Sequence, residues 1–170
     1  MSDRMRLMVL AVTTAIILGM ANLQIIDKER IVRDGTSILL RLAPVDPRSL
    51  LQGDYMALRY ELSRDLDLAA RAAQVSDGVA VVELSDTNEA RFVEIYDGQQ
   101  LAANQALIRF RKRGESVRLA SDAFFFEEGQ FETYRSARFG EVRVDESGEA
   151  VLTGLRNDAG EPLGIILHPF

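Results

Sequence analysis

The chain has 170 residues, 47% hydrophobic and 27% charged, a near-average composition that fits neither a disordered chain nor a multi-span membrane protein and allows one domain around one core. Its 26 acids against 20 bases give a net charge of −6, which disfavours binding to a nucleic-acid backbone. With no cysteine and a single histidine, His168, thiol nucleophiles, disulfide frameworks and zinc sites built on Cys and His are excluded, and no cofactor is indicated.

From Leu7 to Ile26 the chain carries no charged side chain, and the run begins directly after Arg4 and Arg6. About twenty helical residues rising ~1.5 Å each reach the roughly 30 Å of a bilayer core. Thr13, Thr14, Asn22 and Gln24 dilute the run. An uncleaved anchor is favoured because apolar residues continue through Leu23, Ile25 and Ile26. A cleaved signal stays open, since Gly19-Met20-Ala21 has the small-x-small pattern of a cleavage site. A buried helix of a soluble protein is disfavoured, as no polar face recurs between Met8 and Ala21.

Lys28, Arg30 and Arg33 compete with Arg4, Arg6 and the terminal amine in the positive-inside count. Short N-terminal tails ahead of a first span usually stay in the cytoplasm. The expectation is a single-pass protein of the cytoplasmic membrane whose domain faces the periplasm or cell exterior. Residues 1–34 then form the anchor and its juxtamembrane extension, and residues 35–170 the domain. Beyond the apolar run the charge is −7, from 25 acids and 18 bases.

After the span, residues 27–33 continue the helix, with Asp34-Gly35 offering a left-handed stop. Thr36 to Leu42 reads as a strand, with Ile38, Leu40 and Leu42 on one face and Leu39 and Arg41 on the other. Pro44, Pro47 and Gly53 mark a turn-rich connection. Tyr55 to Leu62 alternates again: Met56, Leu58, Tyr60 and Leu62 face one way, and Tyr55, Ala57, Arg59 and Glu61 the other. A short helix follows over Asp65–Ala73, then a turn at Ser76-Asp77-Gly78.

The remainder reads mostly as hairpins: strands at Val79–Leu84, Arg91–Tyr96, Ala106–Phe110, Val117–Leu119, Ala123–Phe126, Glu141–Val144, Ala150–Leu155 and Leu163–Leu167, with a helix over Phe131–Arg138. This pattern implies a mainly β (α+β) fold: an antiparallel sheet or partly open barrel with one or two short helices, preceded by a transmembrane helix.

The octet Gly53-Asp54-Tyr55-Met56-Ala57-Leu58-Arg59-Tyr60 matches the signature of the GDYXXLXY protein family at all five named positions. The approach from Leu40 to Leu50, the strand from Arg138 to Val144 and the apolar N-terminus also resemble that family. The resemblance implies a membrane-anchored bacterial protein of uncharacterised function. Such proteins often occur beside multi-span membrane proteins, which makes one of these the implied partner.

Two accounts of the motif follow from its residues. In one, Gly53 and Asp54 make a turn while Leu58 and Tyr60 fill the core. In the other, Asp46, Arg48, Asp54, Tyr55 and Arg59 form an exposed polar cluster beside a rigid proline loop. The resulting reading is an interaction module docking on a multi-span membrane protein.

The alternative is an extracytoplasmic hydrolase, a degenerate relative of type I signal peptidases, which resemble the chain in their anchor and in Gly-Asp opening a strand. Their Ser–Lys pair has only Ser49 and Lys112 as substitutes here, and no serine stands three residues before either proline. Lys112 lies between Arg111 and Arg113, a setting expected to be a solvated basic turn. In Phe124-Phe125-Phe126 the expectation is a core pair with one exposed ring, which would be available to lipid or a partner.

Overall fold

The uncharged N-terminal run forms one continuous helix, α1 (Asp3–Asp34), in a computed structural model that describes residues 3–43, 55–114 and 116–164. Its best 18-residue window has a mean hydropathy of 2.0, and no part of that window is covered by the rest of the chain. A helix apolar all round and left bare by its own domain has the length and composition of a membrane span. Only Ile31 is buried, where the last turns of α1 rest on two strands of the domain.

Gly35 is not left-handed, contrary to the expected stop. Its N–H donates to the Ile31 carbonyl at 2.9 Å and the chain runs straight into β1 (Thr36–Arg41). Glycine is required there by close approach. A Cβ would stand 2.5 Å from the Ile31 oxygen and 2.8 Å from that of Val144.

Ile38 and Leu40 of β1 are fully buried, while Ser37, Leu39 and Arg41 face outward, as alternation dictates. β1 pairs antiparallel with β8 (Phe139–Val144), which pairs with β9 (Ala150–Arg156), and β9 with β10 (Pro162–Leu163). The β8–β9 turn is fixed by Asp145, whose Oδ1 accepts from the amides of Ser147 and Glu149, each at 2.9 Å.

A second antiparallel sheet has the order β4-β3-β5-β6, formed by β3 (Asp77–Leu84), β4 (Ala90–Ile95), β5 (Gln105–Arg113) and β6 (Ser116–Arg118). The Leu39 amide bonds the Asn88 carbonyl at 2.8 Å, and the Arg109 amide bonds that of Gly148 at 2.7 Å, stitching the two sheets together. The result is a β-rich domain of curled antiparallel half-barrel sheets whose inner faces share one core.

The expected Tyr55–Leu62 strand is shorter. β2 (Tyr55–Ala57) pairs with β7 (Ala123–Phe125) over three residues, after which the chain changes partner. Leu58 donates to the Asp122 carbonyl, then Ala43 to Arg59 and Glu61 to Arg41, so Tyr60 bridges Leu42 at the end of β1. The alternation survives the switch, with Leu58, Tyr60 and Leu62 buried and Tyr55, Arg59 and Glu61 exposed.

Helix α2 (Leu62–Ala72) starts three residues earlier than expected, because Leu62 is the first of the buried stripe Leu62, Leu66, Ala70 that lies on β4 and β6. It ends in a Schellman motif: Val75 N–H bonds Ala70 O and Gln74 N–H bonds Arg71 O, with Gln74 at φ +56. The expected helix over Phe131–Arg138 is a single turn, α3 (Phe131–Tyr134), since the Arg138 amide already joins Arg156 in the β8 ladder. Of the last expected strand, Leu163–Leu167, Leu163 belongs to β10, and residues 165–170 lie outside the described residues.

Candidate functional site: the motif ribbon and the arginine–carboxylate groove

Asp46, Arg48, Gly53 and Asp54 lie outside the described residues, whereas Tyr55, Leu58, Arg59 and Tyr60 lie within them. Leu58 and Tyr60 are core residues, 5% and 4% exposed. The Tyr60 hydroxyl donates to the Ser121 carbonyl at 2.9 Å, which satisfies the one polar atom that this ring carries inside. Burial pushes the phenol well above its ordinary value, and the nearby Asp122 carboxylate adds to this. Gly140 of β8 makes room for the ring, as a Cβ there would lie 3.1 Å from its edge.

Tyr55 points the other way and meets Phe125, its register partner on β7, with ring centroids 5.7 Å apart. Phe125 is 75% exposed. Its neighbours turn inward: Phe124 and Phe126 pack on Tyr134 at 5.0 and 5.2 Å. The triple-Phe run thus splits into two packed rings and one presented ring. The presented ring extends the motif's own tyrosine into an aromatic ridge on a two-stranded ribbon. A ridge of two adjacent aromatics has the character of an interface anchor.

On the outer face of the first sheet, β1, β8, β9 and the β3–β4 turn enclose a groove of about 440 Å³. Glu141 is buried in its floor. Arg156 grips its carboxylate with two bonds of 2.9 and 3.0 Å, and Ser37 donates to it at 2.9 Å. Desolvation pushes this carboxyl up, but Arg156 and Ser37 outweigh it and hold the group below the ordinary glutamate value. Beside it Arg41 forks onto Glu89 at 2.8 and 3.2 Å and lies over the Phe139 ring at 4.6 Å. That fork, opposed by desolvation, holds Glu89 low as well.

Arg156 spends its remaining nitrogen on the Gly160 carbonyl at 2.7 Å. Both guanidiniums are therefore engaged within the chain, and the groove is a brace joining β1, β8, β9 and the β3–β4 turn. Sequence reasoning placed Arg41 outward but missed Glu141 and its partner. The available signal was the one acid in the strand Phe139–Val144, Glu141, with Arg156 at the end of the next hairpin strand.

Lys112 is not in a solvated turn. It belongs to β5, its side chain is mostly covered, and its Nζ lies 3.3 Å from Asp67 Oδ1 on α2. Arg71 shares that carboxylate through Oδ2 at 2.8 Å. Desolvation alone would raise the Asp67 carboxyl, but Lys112 and Arg71 bring it below its ordinary value. An amine committed to a carboxylate does not meet the geometry of a free general base. Ser49 and His168 lie outside the described residues. Among the described residues no three His, Asp or Glu side chains converge as metal ligands.

No curated protein and no solved structure matches the chain. The family model described as "GDYXXLXY protein" matches residues 17–155, from the second half of the apolar run to Leu155, one residue before the end of β9. That span takes in the motif, the aromatic ribbon and the braced sheet short of Arg156 and β10, and the chain belongs to the GDYXXLXY protein family.

Proposed function

We propose that the chain is a membrane-anchored interaction module, with α1 as the anchor and the Tyr55–Phe125 ridge as the surface that docks on a multi-span membrane protein. The observation that carries this reading is Phe125, three-quarters exposed beside the motif Tyr55, itself 37% exposed, as a register pair on the outer face of a two-stranded ribbon. The buried half of the motif, Leu58 and Tyr60, fixes the strand that presents the ridge. The domain is taken to face the cell exterior or periplasm. The hydrolase alternative finds no support in Lys112, whose amine is engaged by Asp67.

The test is purification of the tagged chain from membranes in mild detergent, beside the Tyr55→Ser/Phe125→Ser variant. A multi-span protein recovered near one-to-one with the wild type and lost with the variant is the expected result. Equal recovery with both, or no membrane protein with either, contradicts the reading.

A further inference from the structure

Arginines recur at every second position at the end of β5: Arg109, Arg111 and Arg113 are exposed on the face opposite Lys112. Strand pairing sets Arg118 of β6 directly across from Arg111. These four line a concavity of about 290 Å³ whose only carboxylates among the described residues are Glu149 and Asp122. Asp122 is taken by Arg118 at 2.7 Å, and Glu149 is shared between Arg109 at 3.5 Å and Lys28 of α1 at 2.6 Å. Arg111 and Arg113 have no ion-pair partner among the described residues. Like charges placed opposite each other on paired strands are unfavourable unless an anion offsets them; Asp77 of β3 stands across from Arg111 on its other side but forms no ion pair with it among the described residues. The other groove differs in this respect, because there every guanidinium is matched by a carboxylate of the chain.

Position identifies the anion. Lys28 lies two residues after Ile26, the last residue of the uncharged run, which is about 3 Å along the helix. It is tied through Glu149 to Arg109. One rim of the arginine concavity is therefore held at the level where a spanning α1 leaves the hydrocarbon, the layer of lipid headgroups. We infer that this concavity is a seat for the headgroups of anionic phospholipids, with Arg111 and Arg113 as its phosphate-binding side chains. Guanidinium forks suit phosphate oxygens better than a point charge would. The inference rests on α1 being a membrane anchor. It also places the domain against the bilayer, with the aromatic ribbon beginning one residue beyond Asp122 on the concavity's rim.

The test uses the full chain in a neutral detergent, titrated with phosphatidylglycerol or phosphatidylcholine and, separately, with inorganic phosphate. Binding is read by native mass spectrometry and by melting temperature. Arg111→Gln/Arg113→Gln is compared with Arg64→Gln/Arg91→Gln, which removes the same charge from exposed sites elsewhere. The wild type and the control are expected to prefer phosphatidylglycerol and to be stabilised by it. The groove variant should bind it about twenty- to thirty-fold more weakly, from roughly five-fold per guanidinium, and should melt no lower than the wild type without lipid.

Equal loss in both variants, no preference over phosphatidylcholine, or saturation by inorganic phosphate alone overturns the inference. A groove variant that melts lower without lipid overturns it too, because the arginines would then be structural. Alkaline carbonate extraction checks the anchor separately. Release of the chain overturns the anchor reading, whereas a resistant chain without lipid preference overturns this inference alone.

Discussion

The Tyr60 hydroxyl donates to the Ser121 backbone carbonyl at 2.9 Å, tying the last residue of the motif to the segment that leads into β7. Through this bond the core end of the motif sets the strand opposite Tyr55. Tyr60→Phe should cost about 1 kcal/mol, the net worth of one hydrogen bond, and Tyr60→Ala about 3–5 kcal/mol. Denaturant unfolding of the two variants checks both. A Phe variant as damaging as the Ala variant would mean that the bond, not ring packing, dominates.

Gly140→Ala presses on the same ring from β8, where the new Cβ lies 3.1 Å from Tyr60 and 3.3 Å from Leu152. Overpacking of this kind costs about 1–3 kcal/mol. Combined with Tyr60→Phe it should be less than additive, because both act on one ring. Unfolding midpoints of the single and double variants measure the coupling.

Acid should weaken the brace around Glu141. Its folded-state carboxyl lies below the ordinary value of 4.5, so the stability it contributes is complete above that value and is lost as pH falls through the lower folded one. Glu141→Gln strands Arg156 without its counter-charge and should destabilise the domain at neutral pH by about 3 kcal/mol. The variant should also show a shallower loss of stability between about pH 5 and about pH 2. Glu89, held low by Arg41, keeps part of the acid sensitivity in place. Unfolding curves across that range test the slope.

At the junction, Gly35→Ala forces a Cβ against two backbone oxygens that cannot retreat as a flexible side chain would. The strand should detach from the end of α1, exposing the bonds from Arg143 to the Gly35 carbonyl and from Gly35 to Ile31. Limited proteolysis should then cut near residues 34–36 in the variant well before the wild type.

Much of the architecture was legible because alternation is a local signal. Ile38 and Leu40, and Leu58 with Tyr60, faced inward where period-2 reading put them, even though the ladder around Leu58 changed partner. Strand ends and helix starts were not legible where pairing decided them. Leu62 entered a helix because its side chain begins the α2 stripe, and Arg138 left a helix because its amide found Arg156. The site was legible in part: Tyr55 and an outward Phe125 were readable from spacing. The Glu141–Arg156 fork and the grouping of Arg109, Arg111, Arg113 and Arg118 depend on strand register, which no single segment encodes.

The ridge carries the central claim, and replacing the Phe125 side chain with a benzophenone tests it most directly in intact membranes. The exposed apolar Leu68 on α2 serves as the control position. The account predicts a discrete adduct between position 125 and a multi-span membrane protein that position 68 does not form. Adducts to lipid alone at position 125, or the same protein captured equally from both positions, would contradict it.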